Sequence, residues 1–217
     1  MYCIVRRHSP ATLIIITHFF SNYNSKCPKI IFSGSITPER IGKRQMSGIN
    51  IVSTGGYAPK LAVTNDDMAK IVETNDEWIR TRTGISQRRM SDGEPTWYMG
   101  AMASKHAIER AGIDPKEIGL IISSTITNDF VTPSASCLIQ REIGAVNAAA
   151  FDLGAACSGF VYSVDTAHRY LATDDNLRYV LVSANENLSY ITNFADRSSC
   201  VLFGDGAAAV ILEKSDK

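Results

Sequence analysis

The sequence predicts an α/β fold with a five-stranded, mixed but mostly parallel sheet that has helices on both faces. Two observations predict it. Strand-like and helical patterns alternate from Ser47 onward, and the later strand-like segments are continuously apolar. Continuously apolar strands are typical of a sheet that is covered on both faces. The chain of 217 residues is long enough for one large domain or two small ones, and we assign residues 47–217 to one folded unit.

The predicted elements follow from periodicity and from capping residues. The first part of the unit holds a strand in "INIVSTGGYAP", a short helix whose capping box is Thr64 and Asp67, a second short helix from Thr74 or Asn75 to Gly84, a helix over 96–111 closed by Gly112, and a strand in "IGLIISSTIT". The second part holds a helix that starts with Pro133, a strand over 147–153, a helix over 158–171, a strand in "YVLVSAN" and a final strand after a tight turn at Asp205 and Gly206.

One cysteine lies where a predicted strand passes into a predicted helix. In "DLGAACSGF", Cys157 stands between Ala155 and Ala156 on one side and Ser158 and Gly159 on the other. A helix amino terminus carries unpaired N–H groups and a partial positive charge, which favour the nucleophilic thiolate. Small neighbours would let a substrate carbonyl approach, as at the nucleophile turn of hydrolases. The pattern indicates a catalytic cysteine, although tight helix–sheet packing would also account for it.

Composition argues against several other functions. The formal net charge is zero, which gives no indication of nucleic-acid binding. No apolar run reaches the ~20 residues that a membrane-spanning helix needs. The five cysteines match no metal-binding spacing, so we expect no metal site, and their odd number without a pattern indicates a reducing compartment. They are Cys3, Cys27, Cys137, Cys157 and Cys200, of which Cys137 and Cys200 are expected in the core.

Residues 1–45 differ from the rest of the chain. They are rich in Lys and Arg and contain a single acidic residue, Glu39. The apolar run "ATLIIITHFF" loosely resembles a secretory signal, and the scarcity of acids is typical of an organelle transit peptide. We expect a disordered extension and favour a mis-assigned start, with translation beginning at Met46, over either targeting segment. The expected location is then the cytoplasm, or a plastid if the extension is a transit peptide.

Four segments together resemble 3-oxoacyl-[acyl-carrier-protein] synthase III, the thiolase-fold enzyme that starts fatty acid synthesis. They are "NDEWIRTRTGI", "TPSASCLIQREIG", "DLGAACSGF" and "FGDGAAAVIL", and the resemblance covers roughly residues 47–217. It implies a thiolase-like fold, of which this chain holds the amino-terminal half. It also implies an acyltransferase that needs no cofactor besides its acyl-CoA substrate.

The resemblance assigns a reaction to Cys157. This residue matches the family's acyl-accepting cysteine, which takes an acyl group from acetyl-CoA or another short acyl-CoA. Malonyl-acyl-carrier-protein then loses CO₂ and its carbanion attacks the acyl-cysteine, which is covalent catalysis in ping-pong order. A histidine and an asparagine in the second half of the family's fold complete the catalytic set. None of His8, His18, His106 and His168 matches that histidine, so we expect a truncated chain that is inactive in condensation.

The resemblance also assigns binding residues. Trp78 matches the tryptophan that stacks on the adenine of CoA, and Arg197 matches the arginine on the other face of the adenine, a pairing that suits a purine. Arg82 matches an arginine near the CoA entrance, and Thr74 matches a neighbour of the adenine site. The implied partners are acyl carrier protein, an acyl-CoA and, in the full-length family, a second copy of the chain, with no nucleic acid or membrane.

Three further residues match positions near the family's acyl pocket. Leu188 and Phe203 lie close to it, although core packing would also account for both residue types. Thr132 matches a position that reaches the pocket across the dimer, where some relatives carry a bulky aromatic residue. A smaller residue there would admit longer or branched primers.

Two alternative classes stay open. One is another thiolase-fold condensing enzyme, such as a polyketide starter synthase or hydroxymethylglutaryl-CoA synthase. The other is a non-catalytic, thiolase-like fragment that acts in binding or dimerisation. If the second half of the fold is missing, residues 47–217 are expected to expose an apolar surface that it would otherwise cover.

Overall fold

The computed structural model describes residues 48–215, so our expectations for residues 1–45 lie outside the described residues. The strands are β1 (Ile49–Tyr57), β2 (Leu61–Thr64), β3 (Gln87–Met90), β4 (Ile118–Ser124), β5 (Ala149–Leu153), β6 (Tyr179–Asn187) and β7 (Asp205–Lys214). The α-helices are α1 (Asn65–Met68), α2 (Asp76–Thr83), α3 (Thr96–Ala111), α4 (Ala135–Ile143), α5 (Gly159–Thr173), α6 (Leu188–Ile191) and α7 (Arg197–Cys200). Two 3₁₀ helices span Pro115–Glu117 and Ala156–Ser158.

The main sheet has five strands in the order β1-β7-β6-β4-β5. β4 pairs in parallel with β5 and with β6, whereas β7 runs antiparallel to both β6 and β1. All strands except β7 therefore run in the same direction, which confirms the prediction of a mixed, mostly parallel sheet. β2 and β3 form a separate antiparallel pair that the sequence patterns did not predict.

Helices cover both faces of the main sheet. On one face Ala107 of α3 and Ile139 of α4 pack with Ile121 of β4 in a buried apolar cluster. On the other face Leu171 of α5 packs with Ile122, the next residue of β4. Because successive strand residues point to opposite faces, the continuous apolar run of β4 supplies both cores.

The surface of α5 exposes several apolar side chains beside an exposed ion pair between Asp165 and Arg169. It carries Phe160, Val161, Tyr162 and Tyr170, each at least a third exposed to solvent. Monomeric proteins rarely leave such a surface uncovered, so it has the character of a contact face. Within residues 48–215 no helix combines the length and the apolar character needed to cross a membrane.

Capping residues place most helix ends where the sequence predicted them. Thr64 and Asp67 form the expected capping box, and α3 ends at Gly112, which adopts φ +65°. The side chain of Asn75 caps α2, and Gly84 ends that helix with φ +74°. Left-handed residues at these ends favour glycine because a Cβ atom would be strained there.

Two predicted boundaries are wrong. α4 begins at Ala135 and not at Pro133, because Ser134 caps the helix and the Asp152 carboxylate accepts hydrogen bonds from the N–H groups of Ala135 and Ser136. The expected turn at Asp205 and Gly206 is instead the first part of β7.

The buried Asp205 carboxylate explains this second difference. It accepts hydrogen bonds from the backbone N–H groups of Ser91 and Ser189 and from the hydroxyl of Ser189. These bonds hold the residue in extended backbone opposite Asn187 of β6. Neither donor is close to Asp205 in sequence, so a local dipeptide rule could not identify the arrangement.

Candidate active site

Cys157 lies on a tight connection between β5 and α5. It is the middle residue of the 3₁₀ helix Ala156–Ser158, and its thiol is free and solvent-exposed. The preceding Ala156 has φ +46° and is the one non-glycine residue with positive φ among residues 48–215. An L-residue in this region costs about 1 kcal/mol, and such strain is concentrated at functional sites. No side-chain hydrogen bond caps the 3₁₀ helix or α5.

Close packing explains why the residue two positions after Cys157 is a glycine. A Cβ atom on Gly159 would lie 2.0 Å from Ser124 Oγ, at the end of β4. The first turn of α5 is therefore pressed against the end of β4, and only glycine fits at the contact. This close approach fixes the connection that carries Cys157 above the carboxyl end of the sheet.

A largely apolar pocket of about 300 Å³ opens beside the thiol. It is lined by Ser124, Ile126, Ala156, Cys157, Phe160, Ala184, Glu186, Leu188 and Phe203. The pocket lies at the carboxyl ends of the parallel strands β4 and β6, where α/β sheets characteristically bind ligands. The structure therefore brings together three of the predicted residues, Cys157, Leu188 and Phe203.

Glu186 is the one charged residue of the pocket lining. Its carboxylate accepts hydrogen bonds from Ile126 N at 3.0 Å and from the Thr127 hydroxyl at 2.5 Å. A longer bond of 3.3 Å comes from the Thr125 hydroxyl. These contacts turn the carboxylate onto residues 125–127 and hold the segment that follows β4.

No histidine is present in the lining of this pocket. His106 lies in α3 with Nδ1 2.8 Å from the carbonyl oxygen of Gly56 in β1. His168 lies on α5, about two and a half turns beyond its start. Neither is a lining residue of this pocket.

Trp78 is the centre of a second predicted group of residues. The guanidinium carbon of Arg197 lies 4.3 Å from its ring centroid, and that of Arg82 lies 4.5 Å away. Both are cation–π contacts, so the structure brings together three residues that lie up to 119 positions apart. Trp78 is half-buried and also packs against the apolar cluster of Met68 and Ile79.

Two polar atoms of these residues lack protein partners. Thr74 Oγ1 and Arg197 Nε are buried and make no hydrogen bond within the described part of the chain. Buried polar groups are normally paired, so each is a candidate contact for a ligand atom.

Thr132, which was predicted to lie near the acyl pocket, is exposed and is not among the residues that line the Cys157 pocket. Its predicted position across a dimer remains a prediction.

The other described cysteines differ from Cys157 in burial. Cys200 is fully buried, as expected for a core residue, and Cys137 is half-buried. Burial, and secondarily the nearby Asp196 carboxylate, raise the pKa of the Cys200 thiol. Residues 48–215 contain no cluster of three or more His, Cys, Asp or Glu side chains that could hold a metal ion.

Sequence reasoning missed two buried polar residues that connect β3 to α1. Arg88 and Asn65 are almost fully buried, and Arg88 donates to Asn65 Oδ1 at 2.8 Å. Burial lowers the pKa of the Arg88 guanidinium. Arg88 lies in "SQRRM", where nothing local distinguishes it from an exposed arginine such as Arg89.

Solved structures with this fold identify the class of protein. A 3-oxoacyl-[acyl-carrier-protein] synthase III from Aquifex aeolicus is 45% identical, with a TM-score of 0.76 over 78% of this chain and 55% of its own. The priming β-ketosynthase from a polyketide biosynthetic pathway is 40% identical, also with a TM-score of 0.76, over 79% of this chain and 52% of its own. The fold is thus the thiolase-like α/β fold of condensing enzymes.

Sequence comparisons relate the chain to one family of condensing enzymes. Residues 151–217 match the family described as 3-oxoacyl-[acyl-carrier-protein] synthase III. The β-ketoacyl-[acyl-carrier-protein] synthase III of Clostridium acetobutylicum is 49% identical over 172 residues, which are 79% of this chain and 53% of that protein. The chain is similar to members of the 3-oxoacyl-[acyl-carrier-protein] synthase III family, and it spans about half the length of the curated relatives it matches.

Proposed function

We propose that this chain carries the acyl-accepting site of a β-ketoacyl-acyl-carrier-protein synthase III. The Cys157 thiolate attacks the thioester carbonyl of a short acyl-CoA such as acetyl-CoA. A new bond forms between the cysteine sulfur and the acyl carbon, the bond to the CoA sulfur breaks, and CoA leaves as a thiolate that takes up a proton. The observation that carries the proposal is an exposed thiol on a strained turn beside an apolar pocket of about 300 Å³.

The pocket would bind the acyl group of the substrate, and the group formed by Trp78, Arg82 and Arg197 would bind its nucleotide. Leu188 and Phe203 give the pocket an apolar lining that suits a short acyl chain. Trp78 would stack on the adenine, with Arg197 on its other face, Arg82 near the entrance and Thr74 beside the purine. The reaction needs no cofactor because the thioester itself supplies an activated acyl group.

Condensation with malonyl-acyl-carrier-protein would complete the reaction of the whole protein. That step needs donors that stabilise the enolate formed when CO₂ leaves. The Cys157 pocket contains no histidine, so we propose that this chain alone accepts acyl groups and does not condense them. Acyl carrier protein is the proposed partner for the second step.

A homodimer is part of the same proposal. The segment after β4 exposes Phe130 and Val131, and Val131 is fully accessible in the single chain. Apolar side chains in this position suit a contact with a second copy, which would bring Thr132 towards the acyl pocket of its partner. Free thiols at Cys137, Cys157 and Cys200 suit the reducing environment of the cytoplasm.

A second candidate is a polyketide starter synthase. The relative named as a priming β-ketosynthase of a polyketide pathway is 40% identical to this chain and has the same TM-score as the Aquifex protein. Both candidates load an acyl group on the same cysteine and differ in the primer. A panel of acetyl-, propionyl- and branched acyl-CoA substrates would therefore distinguish them.

Transfer of radiolabel from acetyl-CoA to the protein tests the proposal. We expect slow transfer of label to the complete 217-residue chain, with the acetyl group mapped to Cys157 by mass spectrometry. Cys157→Ala should abolish the transfer, whereas the matched control Cys137→Ala should retain it. No 3-oxoacyl product should form when malonyl-acyl-carrier-protein is added. Label on a different cysteine, or product from this chain alone, would contradict the proposal.

A further inference from the structure

A buried arginine connects β3 to the end of α7. Arg88 is 6% exposed, and its Nη2 donates to the carbonyl oxygen of Val201, the residue that caps α7, at 3.3 Å. The same nitrogen donates to Asn65 Oδ1 at 2.8 Å. Nη1 donates to the carbonyl oxygens of Val63 and Thr64. The guanidinium thus reaches from the β2–α1 junction to the helix whose first residue is Arg197.

Asn65 continues this connection to both ends of α2. It is 1% exposed, and its Nδ2 donates to Asp76 Oδ1 at 2.7 Å and to the carbonyl oxygen of Ile85 at 2.8 Å. Asp76 is the first residue of α2, and Ile85 follows the glycine that ends the helix. The helix that carries Trp78 is therefore held at its start and just beyond its end by one amide group.

Packing alone does not account for a charged residue here. Arg88 makes no ion pair with a carboxylate among the described residues, and its Nε lacks a hydrogen-bond partner there. Burying an unpaired charge is costly, and an apolar side chain of similar volume would fill the space at lower cost. What the guanidinium adds is directional bonds to elements that lie far apart in sequence.

We propose that Arg88 and Asn65 are positioning residues for nucleotide recognition, because they fix the spacing between Trp78 on α2 and Arg197 on α7. The inference rests on the proposed CoA site. The Arg197 guanidinium now lies 4.3 Å from the Trp78 ring, and a purine between them needs roughly 7 Å, which is two layers of atomic contact. With α7 held by Arg88, only the Arg197 side chain has to move outward.

Calorimetric titration of the complete chain with coenzyme A tests this spacing. Arg88→Met removes the bonds but keeps an apolar stem. Asn65→Asp keeps the acceptor for Arg88 but replaces the donor groups that hold α2. We expect each to weaken CoA binding by about tenfold or more, since every 1.4 kcal/mol changes affinity tenfold. The matched control is Arg89→Met, because within residues 48–215 the side chain of the exposed Arg89 on the same strand donates only to the carbonyl oxygens of Pro59 and Lys60.

Two further measurements separate positioning from general damage. Acylation of Cys157 by a nucleotide-free thioester, S-acetyl-N-acetylcysteamine, should proceed at the wild-type rate in both variants, while acylation by subsaturating acetyl-CoA slows. In a Trp78→Ala background, Arg88→Met should cause little additional loss of CoA affinity, because the two changes act on the same contact.

Each possible outcome supports or overturns the positioning role of Arg88 and Asn65. Wild-type affinity in both variants would overturn the positioning role while leaving the proposed CoA site intact. Equal slowing with both thioesters, or additive losses in the Trp78→Ala background, would also overturn it and indicate a general structural role. A wild-type chain that does not bind CoA would overturn the proposed CoA site itself, and this inference with it.

Discussion

The main sheet and the two-stranded unit, which consists of β2, β3, α1, α2 and α7, are stabilised by different interactions. In the main sheet, Ile121, Leu181 and Ile211 are fully buried in a large apolar cluster, with a second cluster on the opposite face. The two-stranded unit has one small apolar cluster built around Met68, Ile79, Cys200 and Val201. The other contacts between its elements include hydrogen bonds from the buried side chains of Arg88 and Asn65.

This difference parallels the proposed binding sites for the two parts of the substrate, the acyl group and the nucleotide. The proposed acyl pocket lies at the end of the main sheet, whereas the proposed nucleotide-binding residues belong to the two-stranded unit and its flanking segments. Apolar burial is non-directional and tolerates small changes, while buried hydrogen bonds depend strongly on geometry. The proposed chemistry is therefore placed on the part with the larger core, and the proposed nucleotide recognition on the part that directional bonds hold.

The largest expected effect comes from truncating a residue of the main sheet. Leu181→Ala should lower the free energy of unfolding by about 3 kcal/mol, since Leu181 is fully buried between β4 and β7. Val201→Ala in the two-stranded unit removes less buried surface and should cost about 2 kcal/mol. Urea unfolding followed by far-ultraviolet circular dichroism measures both.

CoA binding and acylation of Cys157 should respond differently to Val201→Ala, as calorimetric titration and acylation rates would show. Val201→Ala should weaken CoA binding more than it slows acylation of Cys157 by a nucleotide-free thioester. If Val201→Ala costs as much stability as Leu181→Ala, the two regions form one core and the contrast between them is wrong.

A smaller effect is expected at the contact between α5 and β4. Gly159→Ala places a methyl group 2.0 Å from Ser124 Oγ and should destabilise the protein by about 1–3 kcal/mol. It should also change the rate at which iodoacetamide alkylates Cys157, measured by peptide mapping against the buried Cys200. Ser124→Ala removes the closest atom and should partly restore both properties.

Gly154→Ala is the matched control for this turn. A Cβ atom at Gly154 has its nearest neighbour, the Thr125 carbonyl oxygen, at 3.8 Å, which is an ordinary contact. This variant should keep wild-type stability and alkylation. If Gly159→Ala behaves like Gly154→Ala, the close approach of α5 to β4 does not set the position of Cys157.

The main sheet was predictable because its signals are local. Continuous apolar runs predicted β4 and β6, a glycine cap predicted the end of α3, and the small residues around Cys157 predicted a tight turn. In the two-stranded unit, caps predicted α1 and the end of α2, but the strands gave no comparable signal, since β2 and β3 have four residues each and are separated by two helices. Four residues are too few to establish a period.

The grouping of the candidate site residues was predictable to a similar extent. The resemblance pointed to Trp78, Arg197, Leu188 and Phe203, and the structure places these residues in two groups. Arg88 could not be found this way, because one of its acceptors, Val201, lies 113 residues along the chain. A buried polar contact of that range depends on the complete fold and leaves no local pattern.

The smallest expected effect is a response of the two-stranded unit to acid. Hydrogen bonds from the side chains of Ser198 and Ser199 and from Ser198 N–H lower the pKa of Asp196, which caps α7. Bonds from Arg80 and Asn65 lower the pKa of Asp76 at the start of α2. A lowered pKa means that the fold favours the ionised carboxylate. Its contribution to stability is therefore present above the unfolded value of about 4 and is lost as the pH falls through the folded value.

Acid should thus loosen α2 and α7 before it affects the main sheet. In a Trp97→Phe background, Trp78 is the remaining tryptophan, and its fluorescence should change as the pH falls below about 4 while the far-ultraviolet dichroism stays constant. Asp196→Asn and Asp76→Asn should each reduce the amplitude of that change, because an amide does not titrate. Glu142→Gln is the matched control: the Lys105 side chain lowers the pKa of Glu142 at an α3–α4 contact outside this unit, so its removal should leave the Trp78 signal unchanged. Simultaneous loss of fluorescence and dichroism signals would mean that both regions unfold together, and that the polar connection of the two-stranded unit has no separate stability.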